Sequence, residues 1–408
     1  MGFAIGFVLF ALGITVSVAL HECGHMWTAQ ATGMKVRRFF VGFGPKVFSF
    51  RRGETEYGLK ALPLGGFCDI AGMTALDEME PEDLDRAMYR QATWKRLLVM
   101  SGGIAMNFLL GFLLIVLLAV GWGLPRLDVP PETQINPTEC VQAQNPDGTA
   151  QPCTASSPAG PALQAGLKRG DKVVAINGVP VDSWPELQKA TEQSGTLLYT
   201  VERDGERLDI PVTPQQTATY PFKPGTEERV TSPVMVGKVG VGQDYYDPQQ
   251  YGFFAAIPAS ISFTGDMFGK TFASLAQMPS KVADLWTAVT GGERSADTPV
   301  SVYGASKIGG ETAERGLWGV FILVLASLNF FLGAFNILPL LPLDGGHIAV
   351  VLYEKLRNVL RGRKGLPPGA PVDYMKLLPA TYVVVVIGGA YMILTLAADI
   401  VNPIKLFP

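Results

Sequence analysis

Apolar residues along this chain are gathered into four long runs separated by stretches of ordinary polarity. The first covers about residues 2–25 and carries no charge from Gly2 to Leu20. The second, 97–123, holds only Ser101, Asn107 and small residues as relief. The third, 317–340, is interrupted by Asn329 and Asn336, and the fourth, 378–401, has Asp399 near its end. Each run is long enough, at roughly 20 residues, to cross a bilayer as a helix. The pattern predicts a polytopic α-helical membrane protein with about four transmembrane helices. Between the second and third runs the pattern changes to short alternating segments. Lys172 to Ile176 reads as a strand, Asn177-Gly178 and Asp204-Gly205 as tight hairpin turns, and Ser183 to Glu192 as a helix opened by a Ser183/Glu186 capping box. Phe253, Phe254, Ile257 and Ile261 then recur at helical spacing. They predict amphipathic helices lying on the membrane surface or packed on the β-rich module. Gly291 to Thr298 reads as a flexible turn, and the acidic residues between 75 and 90 as a solvated loop. Four parts follow: 1–123, with two spans and the basic segment between them; 124–249, a β-rich extramembrane domain; 250–316, amphipathic linker helices; and 317–408, with two further spans.

Charge adds orientation. Of 408 residues only 17% are charged, and the net charge of -3 offers no basic footprint for nucleic acid. Lys35, Arg37, Arg38, Lys46, Arg51 and Arg52 follow the first run, Lys95 and Arg96 precede the second, and Lys355, Arg357, Arg361, Arg363 and Lys364 follow the third. The positive-inside rule makes both connections cytoplasmic. The N-terminus, the stretch 124–316 and the C-terminus are then extracytoplasmic, in a multi-pass protein of the cell membrane. The first run lacks a basic leader and a small-residue cleavage site, so it reads as a span and not as a signal peptide. Cys140 and Cys153, thirteen positions apart on the outward side, are placed to pair in an oxidising exterior, whereas Cys23 and Cys68 lie inward.

The candidate chemistry sits at the end of the first run, in His21-Glu22-Cys23-Gly24-His25. On a helix this spacing puts two imidazoles on one face, one turn apart, where they can hold Zn²⁺, with Glu22 as general base. The chain has only 3 His, so two at this spacing are not a casual coincidence. Cys23, two positions from His21, points away from that face. The third run leads into Asn336-Ile337-Leu338-Pro339-Leu340-Leu341-Pro342-Leu343-Asp344-Gly345-Gly346-His347. A carboxylate in so apolar a setting needs a partner, and Asp344 could complete a three-ligand site. His347 is the rival ligand, and spacing alone leaves the choice open. The two prolines and two glycines predict irregular backbone here, tolerable at membrane depth where it is buried or lines a cavity.

HExxH in a first span with Asn-x-x-Pro and Leu-Asp-Gly in a later one resembles the site-2 protease family, membrane-embedded zinc metalloproteases of regulated intramembrane proteolysis. Gly42-Phe43-Gly44-Pro45 and Pro63-Leu64-Gly65-Gly66-Phe67 are similar to that family's membrane-associated β-hairpin, and Gly103 to Asn107 to its Gly-x-x-x-Asn element. The β-rich domain resembles a single PDZ domain, with its peptide loop near Ala159-Gly160-Pro161. The chain looks closest to the actinobacterial branch, which cleaves anti-sigma factors. The resemblance implies His21, His25 and Asp344 as zinc ligands, Glu22 as catalytic base, and Asn336 and Asn107 as candidate substrate-binding residues. It implies single-pass membrane substrates such as anti-sigma factors, a peptide on the PDZ-like domain, and the lipid bilayer as partners. Two departures concern local geometry and not the ligands: Ile104 stands where relatives often have proline, and Pro342 is shifted by one position. The competing reading is a non-catalytic membrane adaptor built around the PDZ-like domain. A metal carrier would need ligands along a path, and the one remaining His, His347, lies beside the same site.

Overall fold

The computed structural model describes residues 2–125, 133–146, 151–154, 157–193, 195–221, 229–243, 248–292, 294–295 and 297–404. The chain separates into two compact units, one from the N-terminus to Leu124 together with Pro248–Pro408, the other Pro125–Asp247.

The first unit opens with α1 (Gly2–Ala31), which runs unbroken through the HExxH motif. Gly6, Phe10, Ile14, Ser17, His21, Gly24 and His25 form its buried stripe, at the three-to-four spacing of one helix face. The same stripe therefore packs the helix and carries both imidazoles inward. The helix outlasts the apolar run by six residues because nothing in 26–31 breaks it. It stops at Gly33, whose φ of +84° lets the Met34 N–H turn back to the Ala29 carbonyl, 2.9 Å.

Two long bent strands follow, β1 (Val36–Arg52) and β2 (Thr55–Ile70). The far half of β1 pairs with the near half of β2, Phe50 opposite Tyr57, while the near half pairs with the distal part of β2, Phe40 opposite Phe67 and Val41 opposite Gly66. Met26, Ala29, Met34, Phe39, Ile70 and Met100 form the core beneath. The acidic stretch beyond is solvent-exposed at Glu78, Glu80, Glu82 and Asp85, as expected, but two of its acids are paired. Arg37 binds Asp69 at 2.7 Å and Asp77 at 2.9 Å, Lys35 pairs with Asp83, and Pro81–Arg86 forms a 3₁₀ turn. Basic residues read as orientation signals also have local acidic partners. α2 (Thr93–Gly121) then runs back along α1.

The second unit holds β3 (Ile135–Pro137), α3 (Pro161–Gln164), β4 (Lys172–Ile176), β5 (Val179–Pro180), α4 (Trp184–Thr191), β6 (Leu197–Arg203), β7 (Glu206–Val212), β8 (Gln215–Thr219), β9 (Val234–Lys238) and β10 (Val241–Gln243). Its main sheet has the order β5-β4-β6-β7. Both expected hairpins form, with Asn177 and Asp204 at φ of 50° and 53°. Val173, Ile176, Leu187, Leu197, Tyr199 and Val201 make the core, and burial pushes the Tyr199 hydroxyl up to about 12. Burial would raise the Asp171 carboxyl, but two 2.7 Å bonds from Arg203 hold it below the usual carboxylate range. Cys140 and Cys153 are bonded. The expected capping box is not made: Ser183 caps no N–H, and Glu186 instead accepts from the Asp182 N–H at 3.0 Å.

The first unit resumes with α5 (Phe253–Gln277), α6 (Lys281–Val289), α7 (Val302–Glu314), α8 (Trp318–Ile337), α9 (Asp344–Arg363) and α10 (Leu378–Val401). α1, α2, α8 and α10 are the four helices long and apolar enough to cross a membrane among the described residues. α5 does more than lie on a surface. Its Phe268 ring sits between Phe108 of α2 and Phe330 of α8, at 4.7 and 5.4 Å, while Phe253, Phe254 and Ile261 point outward, Phe254 86% exposed. α7 lies on α1, where a Cβ at Gly309 would come within 2.5 Å of Phe10 Cβ. The expected flexible turn at 291–298 lies partly outside the described residues, at 293 and 296, but Arg294 within it is held. Arg294 is 2.8 Å from Asp399 of α10 with both side chains 2% exposed, and it also donates to the carbonyls of Pro299 and Asn402.

Candidate metal centre

The histidines of α1 meet the first residue of α9. His21 Nε2 and His25 Nε2 are 3.2 Å apart, and Asp344 Oδ2 lies 3.2 Å from the first and 3.3 Å from the second. With Zn–N and Zn–O bonds of about 2.0–2.1 Å, neighbouring ligands of a tetrahedral zinc stand roughly 3.3 Å apart. The three atoms thus already occupy one triangular face of such a site. Asp344 Oδ2 is buried and receives no hydrogen bond of adequate geometry, an uncompensated cost unless a cation faces it. Two imidazole nitrogens and one carboxylate oxygen are a donor set that suits zinc, so the residues fit the metal.

Close approach of backbone makes this convergence possible. A Cβ on Gly103 would lie 2.3 Å from His25 Nε2 and 2.8 Å from His21 Nε2; one on Gly24 would lie 2.2 Å from the Gly102 carbonyl oxygen. These glycines let α2 press directly on the imidazole face of α1. At the other end, Gly345 and Gly346 do not continue the irregular backbone expected from their composition. They open α9, and the irregular segment closes at Leu343. Their missing side chains admit the preceding turn: a Cβ on Gly345 would meet the Ile337 carbonyl oxygen at 2.1 Å. Arg96 of α2 and Glu354 of α9, 2.6 Å apart and both buried, fasten the helix that presents Asp344. In sequence Arg96 carries only an orientation signal, and nothing in Glu354 marks it as its partner.

Each imidazole is held from behind. His25 Nδ1 lies 2.8 Å from the Val99 carbonyl oxygen, so it carries the proton and leaves Nε2 with a free lone pair. His21 Nδ1 lies 3.1 Å from the Asn107 side-chain amide. Asn107, expected as a substrate-binding residue, is 2% exposed and faces His21. Glu22 is half-buried beside the cluster, with β2 next to it: a Cβ on Gly66 would touch Glu22 Cγ at 3.2 Å. Asn336 sits half-buried in the last turn of α8, without a side-chain hydrogen bond among the described residues. His347 stacks on Tyr374, with Nδ1 3.2 Å from its hydroxyl, and stands outside the convergent group of His21, His25 and Asp344.

Comparison with known proteins agrees with this chemistry. Residues 9–377 match the model of peptidase family M50. The chain is 50% identical over 408 residues to the zinc metalloprotease Rip1 of Mycobacterium bovis, covering all of both chains. It is 49% identical over 415 residues to the Rip1 of Mycolicibacterium smegmatis, again covering all of both. It is 28% identical to the chloroplastic membrane metalloprotease ARASP of Arabidopsis thaliana, over 88% of this chain and 72% of that one. A full-length match of this kind, together with four membrane-length helices, establishes that the chain is a zinc metalloprotease of peptidase family M50, the site-2 protease family.

Proposed function

We propose that this protein cleaves peptide bonds within the transmembrane segments of single-pass membrane proteins, anti-sigma factors among them, with His21, His25 and Asp344 holding the zinc. The observation that carries the reading is the 3.2–3.3 Å triangle of ligand atoms, with Glu22 next in sequence to one of them. Bound there, zinc supplies Lewis-acid chemistry. Glu22 takes the proton from the attacking water and returns it to the leaving amide nitrogen. Asn336 donates from its amide to the substrate backbone or to the oxygen that gains charge. Asn107 acts on His21 rather than on substrate, a reading supported by its place 3.1 Å from Nδ1.

A helical substrate hides its scissile bond behind intrahelical hydrogen bonds, so it must unwind before it can react. Residues 66–70 of β2 pair on one side with β1, and no partner strand lies on their other side among the described residues. This open edge lies beside Glu22 and receives the unwound segment by strand addition. The second unit is a PDZ-like domain that binds peptide ends and admits substrates already trimmed by another protease. The membrane orientation is the one the basic residues indicate, with the PDZ-like domain and both termini extracytoplasmic and the zinc site toward the cytoplasmic side.

Mapping the cut in a purified single-pass substrate by mass spectrometry tests the reading. A cut inside the apolar span supports it; cuts confined to the flanking polar segments contradict it.

A further inference from the structure

A cavity of about 1040 Å³ lies between α9, the segment that follows it and the start of α10. No residue of the proposed catalytic machinery lines it. Its wall combines apolar residues, Leu340, Val350 and Val384, with basic ones, Arg357, Arg361 and Lys376. The two guanidinium groups are pinned. Arg357 Nη2 donates to the Ala370 carbonyl at 2.5 Å, and Arg361 Nε to the Pro367 carbonyl at 2.7 Å. Neither is paired with a carboxylate among the described residues, and Arg357 Nε is buried without a partner. The one acid on the wall, Asp373, is occupied with the Met375 N–H at 3.0 Å.

The surroundings identify the occupant. α9 presents Leu352, Tyr353, Leu356 and Leu360 to the exterior, each at least 48% exposed, on a helix that also carries four basic residues between 355 and 363. A basic amphipathic helix of this kind lies in the membrane interface. α10, which forms the facing wall, is long and apolar enough to cross the membrane. The cavity therefore joins headgroup depth to hydrocarbon depth, and it is far larger than a free phosphate needs. We propose that it is a binding site for an anionic phospholipid, with the phosphate held by Arg357 and Arg361 and an acyl chain laid along Leu340, Val350 and Val384. A zwitterionic lipid would bring a cationic group into a wall that already has three positive charges against the single negative charge of Asp373. Leu340 and Gly346, which flank the Asp344 turn, also line the cavity. A lipid bound here contacts the segment that delivers the acidic ligand.

The experiment uses the full chain in nanodiscs of phosphatidylcholine alone or doped with phosphatidylglycerol, the latter bearing a photoreactive acyl chain. Wild type is expected to retain phosphatidylglycerol in preference to phosphatidylcholine through detergent extraction, with crosslinks on α9 and α10 around residues 350 and 384. Arg361→Gln with Lys376→Gln is expected to weaken retention roughly 30-fold, the loss of two interfacial charges. Val384→Trp, which fills the apolar part, is expected to weaken it while zinc content stays at the wild-type level. Crosslinks spread evenly over all four spans would mean annular lipid only and would overturn the site. Equal retention of the two lipids by wild type would do the same. Competition by soluble glycerol phosphate as effective as that by phosphatidylglycerol would reduce the site to a bare anion pocket and also refute it. The wild-type crosslink map decides the matter even if a variant folds poorly.

Discussion

Asn107 lays its side-chain amide 3.1 Å from His21 Nδ1, while its own Oδ1 is buried without a partner. The two orientations of a carboxamide have nearly the same shape. Turning this one over places Oδ1 on an Nδ1–H, satisfies the orphaned oxygen, and leaves His21 Nε2 with its lone pair facing Asp344. His25 already has this arrangement through the Val99 carbonyl. Both imidazoles are then fixed in the tautomer that a metal requires before the metal arrives.

Asn107→Leu should therefore lower zinc affinity roughly 10- to 100-fold, the usual effect of removing a hydrogen bond behind a ligating histidine. Asn107→Asp, which keeps an acceptor on Nδ1, should retain most of it. Chelator competition measures both, and an unaltered affinity in the Leu variant would remove the positioning role.

The glycine contacts make a steric prediction. A methyl group at Gly103 would lie 2.3 Å from His25 Nε2, so Gly103→Ala must push α2 off the imidazole face. Overpacking of this kind costs about 1–3 kcal/mol, and here the loss falls on the ligand geometry. The purified variant should hold well under one zinc per chain. Gly388→Ala, at a position with open space around it, should keep full stoichiometry. Full zinc in both would show that α2 has slack the structure does not suggest.

Arg294 and Asp399 form a pair with both side chains 2% exposed. Removing one partner strands a buried charge, at a cost of about 3–5 kcal/mol, whereas replacing both by apolar residues can be nearly neutral. Arg294→Met should lower the thermal unfolding midpoint of the detergent-solubilised chain markedly. Arg294→Met with Asp399→Leu should recover most of the loss. Equal midpoints for the wild type and the single variant would show that the pair is not structural.

These cases mark the limits of what the residues alone reveal. The four spans, both hairpins and the cysteine pair are local patterns: a run of apolar residues, a dipeptide that accepts positive φ, two thiols in one segment. They were legible for that reason. HExxH is legible because both imidazoles share one helix. What local pattern does not carry depends on partners distant in sequence. Arg96 and Glu354 look like ordinary surface charges until α2 meets α9. Arg294 looks like part of a loop until Asp399 is placed beside it. Gly345 and Gly346 resemble helix breakers because composition cannot show that the preceding turn needs the space of their absent side chains. The spacing of Ser183 and Glu186 fits a capping box, but Glu186 accepts from the N–H one residue earlier, that of Asp182.

The open edge of β2 can be tested with proline. Along a strand, neighbouring N–H groups alternate in direction, so of Phe67 and Cys68 one presents its N–H to β1 and the other to the open side. Phe67→Pro and Cys68→Pro compared in turn should yield one variant that keeps its zinc but cleaves substrate poorly. If both cleave normally with zinc in place, substrate does not add to this strand.

The central claim is that Glu22 moves the proton at a zinc held by His21, His25 and Asp344. The most direct measurement is cleavage of a single-pass membrane substrate by the purified wild type and by Glu22→Gln, with zinc counted in both preparations. Loss of a positioned general base should lower the rate by about 10²- to 10⁴-fold, with one zinc per chain retained. Equal cleavage by the two proteins at equal zinc content would contradict the assignment of Glu22, and with it the account of the site.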